Sequence, residues 1–315
     1  MSDRVPAGGN VIRIATRGSR LALWQAEHVR ALLLAQAPAL VVELVVIKTT
    51  GDRILDTPLA KIGGKGLFIK ELEQAMLEGR ADLAVHSMKD VPVELPPELH
   101  IPCTLQREDP RDCLLTRSGG DLSSLPPGAV VGTSSLRRRS QLRALRPDLD
   151  LRDLRGNVTT RLDKLAAGEF DGIVLALAGL RRLGLDAHVS AAFATGDMLP
   201  AVGQGIIGIE CRRGDTRIEQ LLAALDDPLS RDAIGAERAL NATLKGGCQV
   251  PIAGHAVIDG EQLTIRGLVA SLDGRELIRA DASGPRREAA LLGARVGQRL
   301  LDGGAQRILD AIEHP

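Results

Sequence analysis

The 315 residues are 44% apolar and 25% charged, the balance of a globular chain long enough for two or three cores. Forty basic and forty acidic side chains cancel, which argues against a general nucleic-acid or membrane-surface binder; one Trp, three Phe and no Tyr leave base stacking little to use. No apolar run approaches a membrane span, "MSDRVPAGGN" lacks the apolar centre of an export signal, and Cys103, Cys113, Cys211 and Cys248 form neither a CxxC pair nor a zinc-ligand spacing, so a reduced, cytosolic, metal-free protein is expected.

The first third alternates strand and helix. "VIRIAT" reads as a buried strand, and "SRLALWQAEHVRALLLA" as a helix with Leu21, Trp24, His28, Val29, Leu32 and Leu33 near helical spacing and Ser19 placed to cap it. "VVELVVIKT" is a second strand, "GLFIKELEQAMLEG" a helix ending at Gly79, and "DLAVHS" a third strand. Repeated β-α-β units imply a largely parallel sheet covered by helices; the proline-rich "VPVELPPELHIP" interrupts them. From about residue 111 the alternation resumes through "AVVGTSS", "SLRRRSQLRAL", "DLDLRDL", "NVTTRLDKLAAG" and "FDGIVLALAGL". "LPAVGQGIIGIEC" then supplies a strand that returns to the first unit, so two α/β lobes joined by two crossings enclose a cleft. The helix "LSRDAIGAERALNATL", three strands joined through "DG" turns and the helix "REAALLGARVGQRLL" predict a small α+β domain. The expected limits are 1–105 plus 200–224, 106–199 and 225–315.

Charge is unevenly spread along this framework. Between Val131 and Arg182 there are eleven Lys or Arg and six Asp or Glu, which suggests a confined anion site, although solvated helix faces would account for any single arginine. "GTSSLRRR" follows a strand and opens a helix, so its backbone N–H groups and hydroxyls can receive an anion beside Arg137 and Arg138. "LRGNVTTRL" repeats the plan with Arg155 and Arg161, and "TRGSRLAL" repeats it with Arg17 and Ser19. Three such turns in two lobes, without a P-loop, indicate a ligand with several negative groups, and guanidinium suits carboxylates because its fork meets both oxygens. "HSMKDVP" ends a parallel strand, where open α/β sheets bind ligands, so Lys89 and Asp90 are candidates; a solvated loop is an equal alternative. In "LKGGCQVPI", Gly246, Gly247 and Pro251 keep Cys248 out of a regular element and favour an exposed thiol over a buried one.

Nine motifs in order, "TRGSRLALWQ", "GGKGLFIKELE", "DLAVHSMKDVP", "EDPRD", "VGTSSLRRRSQL", "LRGNVTTRL", "LALAGLRRLGL", "LPAVGQGIIGIECR" and "GGCQVPI", closely resemble the porphobilinogen deaminase (hydroxymethylbilane synthase) family from about residue 11 onward. The resemblance implies two periplasmic-binding-protein-like (type II) α/β lobes around a cleft plus a small C-terminal α+β domain. It implies a cytoplasmic, monomeric transferase of heme biosynthesis that condenses four porphobilinogen molecules head to tail and releases ammonia, with no nucleic-acid or membrane partner. It also implies a dipyrromethane cofactor held by a thioether to Cys248, its acid groups on Ser87, Lys89, Thr133, Ser135, Arg137 and Arg138. Arg17, Ser19, Arg155, Arg161, Arg182, Phe68 and Gln204 would hold the incoming ring, Lys61 and Lys65 would guide acidic substrate, and Asp90 would be the catalytic acid group. Two other readings stand beside it: a two-lobed anion-binding protein without catalysis, and a thiol enzyme pairing Cys248 with His86 or His255.

Overall fold

Strand β1 (Val11–Arg17) lies between β2 (Val41–Ile47) and β3 (Leu83–Ser87), both parallel to it. The computed structural model describes residues 10–53, 69–246 and 250–313. β3 is buried along nearly its whole length, as a central strand covered on both faces must be. Helices α1 (Arg20–Gln36) and α2 (Lys70–Leu77) supply the cover, α1 through Ala26, Val29 and Leu33 and α2 through Leu72, Ala75 and Met76. Ser19 Oγ accepts from Ala22 N at 3.3 Å, the cap its position predicts.

The sheet is completed from two directions. Strand β4 (Leu99–Thr104) follows the proline-rich stretch, and the order is β2-β1-β3-β10-β4, with β10 (Ile207–Arg212) antiparallel to both neighbours. β4 is not legible in the sequence because Pro102 cannot donate to a ladder; at the sheet edge that loss is tolerated. The second sheet repeats this order with β5 (Asp112–Thr116), β6 (Val130–Gly132), β7 (Asp150–Arg152), β8 (Gly172–Ala176) and β9 (Ala191–Ala192), arranged β7-β6-β8-β5-β9. Its helices are α3 (Leu136–Leu145), α4 (Val158–Ala166) and α5 (Leu177–Arg182). Ser135 and Asn157 cap α3 and α4 through side-chain oxygens that accept from Arg138 N and Thr160 N.

The chain crosses between the lobes before β5 and again before β10, and the two crossings touch. Glu108 N donates to Gly205 O at 3.0 Å, and a Cβ on Gly205 would lie 2.2 Å from Glu108 O; with φ at +89°, this position takes only glycine. Helices α6 (Thr216–Ala223) and α7 (Pro228–Thr243) lead into the three-stranded antiparallel sheet β11 (Ile252–Asp259), β12 (Gln262–Ala270) and β13 (Leu277–Pro285), backed by α8 (Ala289–Asp302) and α9 (Ala305–Glu313). Leu240, Leu263, Ile265, Val269, Val296 and Leu300 form the centre of its core. Two α/β lobes of matching strand order and a small α+β domain are therefore the architecture, as the sequence leads one to expect.

Glu237 of α7 joins the third domain to both crossings. It is wholly buried, meets Arg107 Nη1 at 2.6 Å, and accepts from Gly203 N at 2.7 Å and Ala256 N at 2.8 Å. Arg107 Nε in turn donates to Gln204 O at 2.9 Å. A buried carboxylate with four charge-assisted or backbone donors is well compensated, and it fixes the small domain to the hinge. Arg238, the next residue, donates to the carbonyls of Pro92 and Val93 in the first lobe.

Candidate active site

Three helix N-termini and the carboxyl end of β3 converge on the cleft. On the first-lobe side, Arg17, Ser19, Gln25, His86, Ser87 and Asp90 line one cavity, floored by Ile69, Leu72 and Val85. Gln25 Nε2 donates to Ser87 Oγ at 2.8 Å, which fixes the hydroxyl at the strand end. Met88, Lys89 and Asp90 form a single 3-10 turn in which Met88 is buried and the two charged side chains are largely covered. A short turn of this kind ends the strand and points consecutive side chains into different parts of the cleft.

On the second-lobe side the arginines gather around a carboxylate. Asp112, the first residue of β5, is wholly buried; it meets Arg137 Nη1 at 2.7 Å and receives Arg138 through Nε at 2.9 Å and Nη2 at 2.7 Å. Gln204 Nε2 adds a fourth bond at 2.9 Å. Burial alone would push the Asp112 carboxyl up, but the two guanidinium groups outweigh it and hold it far below the usual carboxylate range. Arg137 also donates to Leu199 O and Arg138 to Val174 O, yet Arg137 Nε is buried with no hydrogen-bond partner among the described residues. Thr133 is buried beside them, and its Oγ1 accepts from Ser135 N.

Positive charge is concentrated here. Burial brings Lys89 down to about 8, with Asp90 opposing and Arg138 adding to the fall. Burial likewise brings Arg161 down to about 10, reinforced by Arg138 and Arg155 and opposed by Asp90. Lys89 and Asp90 belong to the first lobe and the arginines to the second, so these charges act on one another across the cleft. Lys89, Arg137, Arg138, Arg155 and Arg161 thus gather here with Asp90 and Asp112, an arrangement suited to an acidic ligand.

Arg17, Ser19, Ser87 and Asp90 line the first-lobe cavity, Lys89, Asp90, Arg137, Arg138, Arg155 and Arg161 lie close enough to act on one another's charge, and Thr133 and Ser135 stand at the start of α3. Gln204 is set apart: it is 1% exposed and bonded to Pro110 O and Asp112, behind the arginines. Arg182 is on the rim, its Cζ 6.0 Å from the ring centroid of Trp24 across the lobes, with Nη2 on Gly205 O; burial brings it down to about 10. Trp24 stacks on His28 at 5.1 Å. Phe68, Lys61, Lys65 and Cys248 lie outside the described residues. Cys103, Cys113 and Cys211 are buried, and burial pushes each thiol up to about 12, which makes them inert core residues. His255 is buried and held down to about 4, so it is neutral at pH 7, and His86 is engaged by Glu210. Among the described residues no group of His, Cys, Asp or Glu could hold a metal ion, and no helix is long and apolar enough to cross a membrane.

Residues 12–220 match the family model described as porphobilinogen deaminase, dipyromethane cofactor binding domain, and residues 232–302 match that described as porphobilinogen deaminase, C-terminal domain. Among solved structures, the periplasmic VFT2 domain of BvgS from Bordetella pertussis is 16% identical, with 73% of this chain and 92% of that one covered at a TM-score of 0.41. The periplasmic aliphatic sulphonate binding protein SsuA from Escherichia coli is 14% identical over 76% of this chain and 71% of its own, at a TM-score of 0.39. A TRAP periplasmic solute binding protein from Desulfovibrio salexigens is 12% identical over 69% and 72%, at 0.40.

Proposed function

The chain belongs to the porphobilinogen deaminase family of tetrapyrrole-synthesising transferases, and on that premise we propose that it is a hydroxymethylbilane synthase. It condenses four porphobilinogen molecules head to tail on a dipyrromethane primer joined by a thioether to Cys248, releases one ammonia per addition, and hydrolyses the product free. The gathering of Lys89, Arg137, Arg138, Arg155 and Arg161 close enough to act on one another's charge is the observation that carries this reading. Each pyrrole of such a chain brings two carboxylates, and few other small metabolites would match so many guanidinium groups.

The residues present fit the cofactor. Among the described residues Arg137 Nε is a buried donor without an acceptor, Lys89 and Arg138 stand near it, and Ser87, Thr133 and Ser135 add hydroxyls at the adjoining strand and helix ends. When bound, dipyrromethane supplies the nucleophilic pyrrole end from which the product grows. Arg17, Ser19, Arg155 and Arg161 bind and orient the acid groups of the incoming substrate, with Arg182 and Phe68 contributing at its edges. Gln204 contributes from behind, by holding Asp112 and through it the arginine pair. Loss of ammonia leaves a cation shared with the substrate's pyrrole nitrogen, and Asp90 stabilises that charge as it develops. The domain limits given by the sequence, the monomeric state and a cytoplasmic location belong to the same proposal.

Purified protein incubated with porphobilinogen should release ammonia and yield a product that cyclises to uroporphyrin. Its intact mass should exceed that of the bare polypeptide, and Ehrlich's reagent should colour it. Cys248→Ala should show the bare mass, no colour and turnover below about 1% of wild type, since the primer has no other anchor. A bare mass in fully active protein, or full turnover in Cys248→Ala, overturns the covalent primer. A second measurement uses the only tryptophan. Carboxylates that draw Arg182 off Trp24 should change its emission saturably on adding porphobilinogen, and Arg182→Ala should abolish most of that response. An equal response in Arg182→Ala would remove Arg182 from the substrate's path.

A further inference from the structure

Behind the wall that holds Asp90 lies a second set of ionisable groups that the chemistry above does not use. His86 lines the same cavity as Ser87 and Asp90, yet its side chain is only 4% exposed. Its Nε2 is 2.8 Å from Oε2 of Glu210, a wholly buried residue of β10. The register accounts for the contact: Glu210 pairs with Ala84 and Gly208 with His86, which makes Glu210 and His86 diagonal neighbours on one face of the sheet. Glu210 Oε1 is buried with no hydrogen-bond partner among the described residues. Glu73 of α2 packs over these strands, and burial followed by the charge of Glu210 pushes its carboxyl up, while His86 and Lys70 pull it down.

A buried carboxylate with an orphaned oxygen is costly and calls for an explanation. His86, Glu210 and Glu73 thus form one buried set of an imidazole and two carboxylates. The other charges bearing on it are Lys70 from α2, Arg238 from α7, and Arg17 and Asp90 on the cleft side.

We propose that His86, oriented by Glu210 and backed by Glu73, carries the proton that each condensation moves from the accepting pyrrole to the departing amine. The inference rests on the deaminase reading above. In each round the C–N bond of the substrate's protonated aminomethyl group breaks and its electron pair leaves on nitrogen as ammonia. A π pair of the accepting ring forms the new C–C bond. The C–H pair at the attacked carbon then returns to the ring, and the proton passes to the neutral imidazole. The imidazolium gives that proton to ammonia, which leaves as ammonium, and the neutral imidazole is restored. No other reactant is needed. Asp90 stays anionic throughout, as a group that stabilises a cation must.

The test is the pH profile of kcat and KM in His86→Gln, Glu210→Gln and Glu73→Gln, each checked for a bound Ehrlich-positive cofactor and for its melting temperature. His86→Gln should lower kcat on the order of 10²-fold, leave KM within about twofold, and remove one ionisation limb of the kcat profile. Glu210→Gln keeps the imidazole but removes the adjacent negative charge, so that limb should move toward acid; Glu73→Gln should move it less. Independently of turnover, the imidazole C–H resonance assigned through His86→Gln should titrate along that limb and shift toward acid in Glu210→Gln. A folded His86→Gln enzyme with both limbs intact, or an imidazole titration unmoved by Glu210→Gln, overturns the proposal. Should His86→Gln not fold, the shift of the limb in Glu210→Gln decides. Wild-type protein that releases no ammonia from porphobilinogen would instead overturn the deaminase reading, a result the imidazole titration does not mimic.

Discussion

Asp112→Asn is expected to destabilise the folded protein by about 3–5 kcal/mol, the usual cost of removing one partner from a buried ion pair. The substitution keeps size and shape but strands two buried guanidinium groups, Arg137 and Arg138, on a neutral amide. In melting temperature this should read as a fall on the order of 10 °C. Because the Asp112 carboxyl is held below its unfolded value, its contribution is fully present above about pH 4 and is lost as pH falls further. The gap between wild type and Asp112→Asn should therefore be constant near neutrality and close in acid. Combining Asp112→Asn with Arg137→Leu should recover part of the loss, since one stranded charge is removed. Equal melting of wild type and Asp112→Asn at neutral pH would show that the two arginines are held by something else. Retention of Ehrlich-positive cofactor should fall alongside stability, because the same carboxylate sets the direction of both forks.

The lobes were legible because their signal is local. Strands such as "VIRIAT" and "DLAVHS" are short apolar runs separated by helices with capped starts; Ser19 caps as its position predicts, and Ser135 caps α3 in the same way. The missed elements carry weaker signals: β4 contains Pro102, and β5, "DCLLT", begins with a charged residue after the charge-dense "REDPR". Asp112 looks like one more solvated acid in that run; only the fold brings it beneath Arg137, 25 residues away. Two other buried acids did leave a mark. Glu237 falls in the apolar stripe of Ala233, Ala236 and Leu240, and Glu210 falls inside the buried strand "IGIECR". A carboxylate on the inner face of a helix or a central strand is seldom idle, and in both places it meets a base, Arg107 in one case and His86 in the other. Gln204 shows the reverse: its motif is plain, but its side chain turns toward the hinge because Asp112 and Pro110 O hold both hydrogens of its amide.

Asp90→Asn is expected to lower kcat by roughly 10²–10³-fold, or about 2.7–4 kcal/mol, the range found when one preorganised group that stabilises transition-state charge is removed from an enclosed site. The amide fills the same space but carries no charge, and it stands at the end of β3 among Lys89 and Arg161, which already make the surroundings positive. A cation forming there meets repulsion from those groups, and Asp90 is the carboxylate on the cavity wall that offsets it. The substituted enzyme should therefore bind substrate nearly as well, with KM within a few-fold, because the acid groups are held by arginines that the change leaves intact. Cofactor content by Ehrlich's reagent should stay at the wild-type level. Asp90→Glu keeps the charge but moves it by one methylene, so it should recover part of the rate. Single-turnover ammonia release separates the chemical step from product hydrolysis, and the deficit should appear in the former. An Asp90→Asn enzyme with kcat within about threefold of wild type would mean that the neighbouring cations are screened by the substrate's own carboxylates, and that the developing charge needs no help from this side chain.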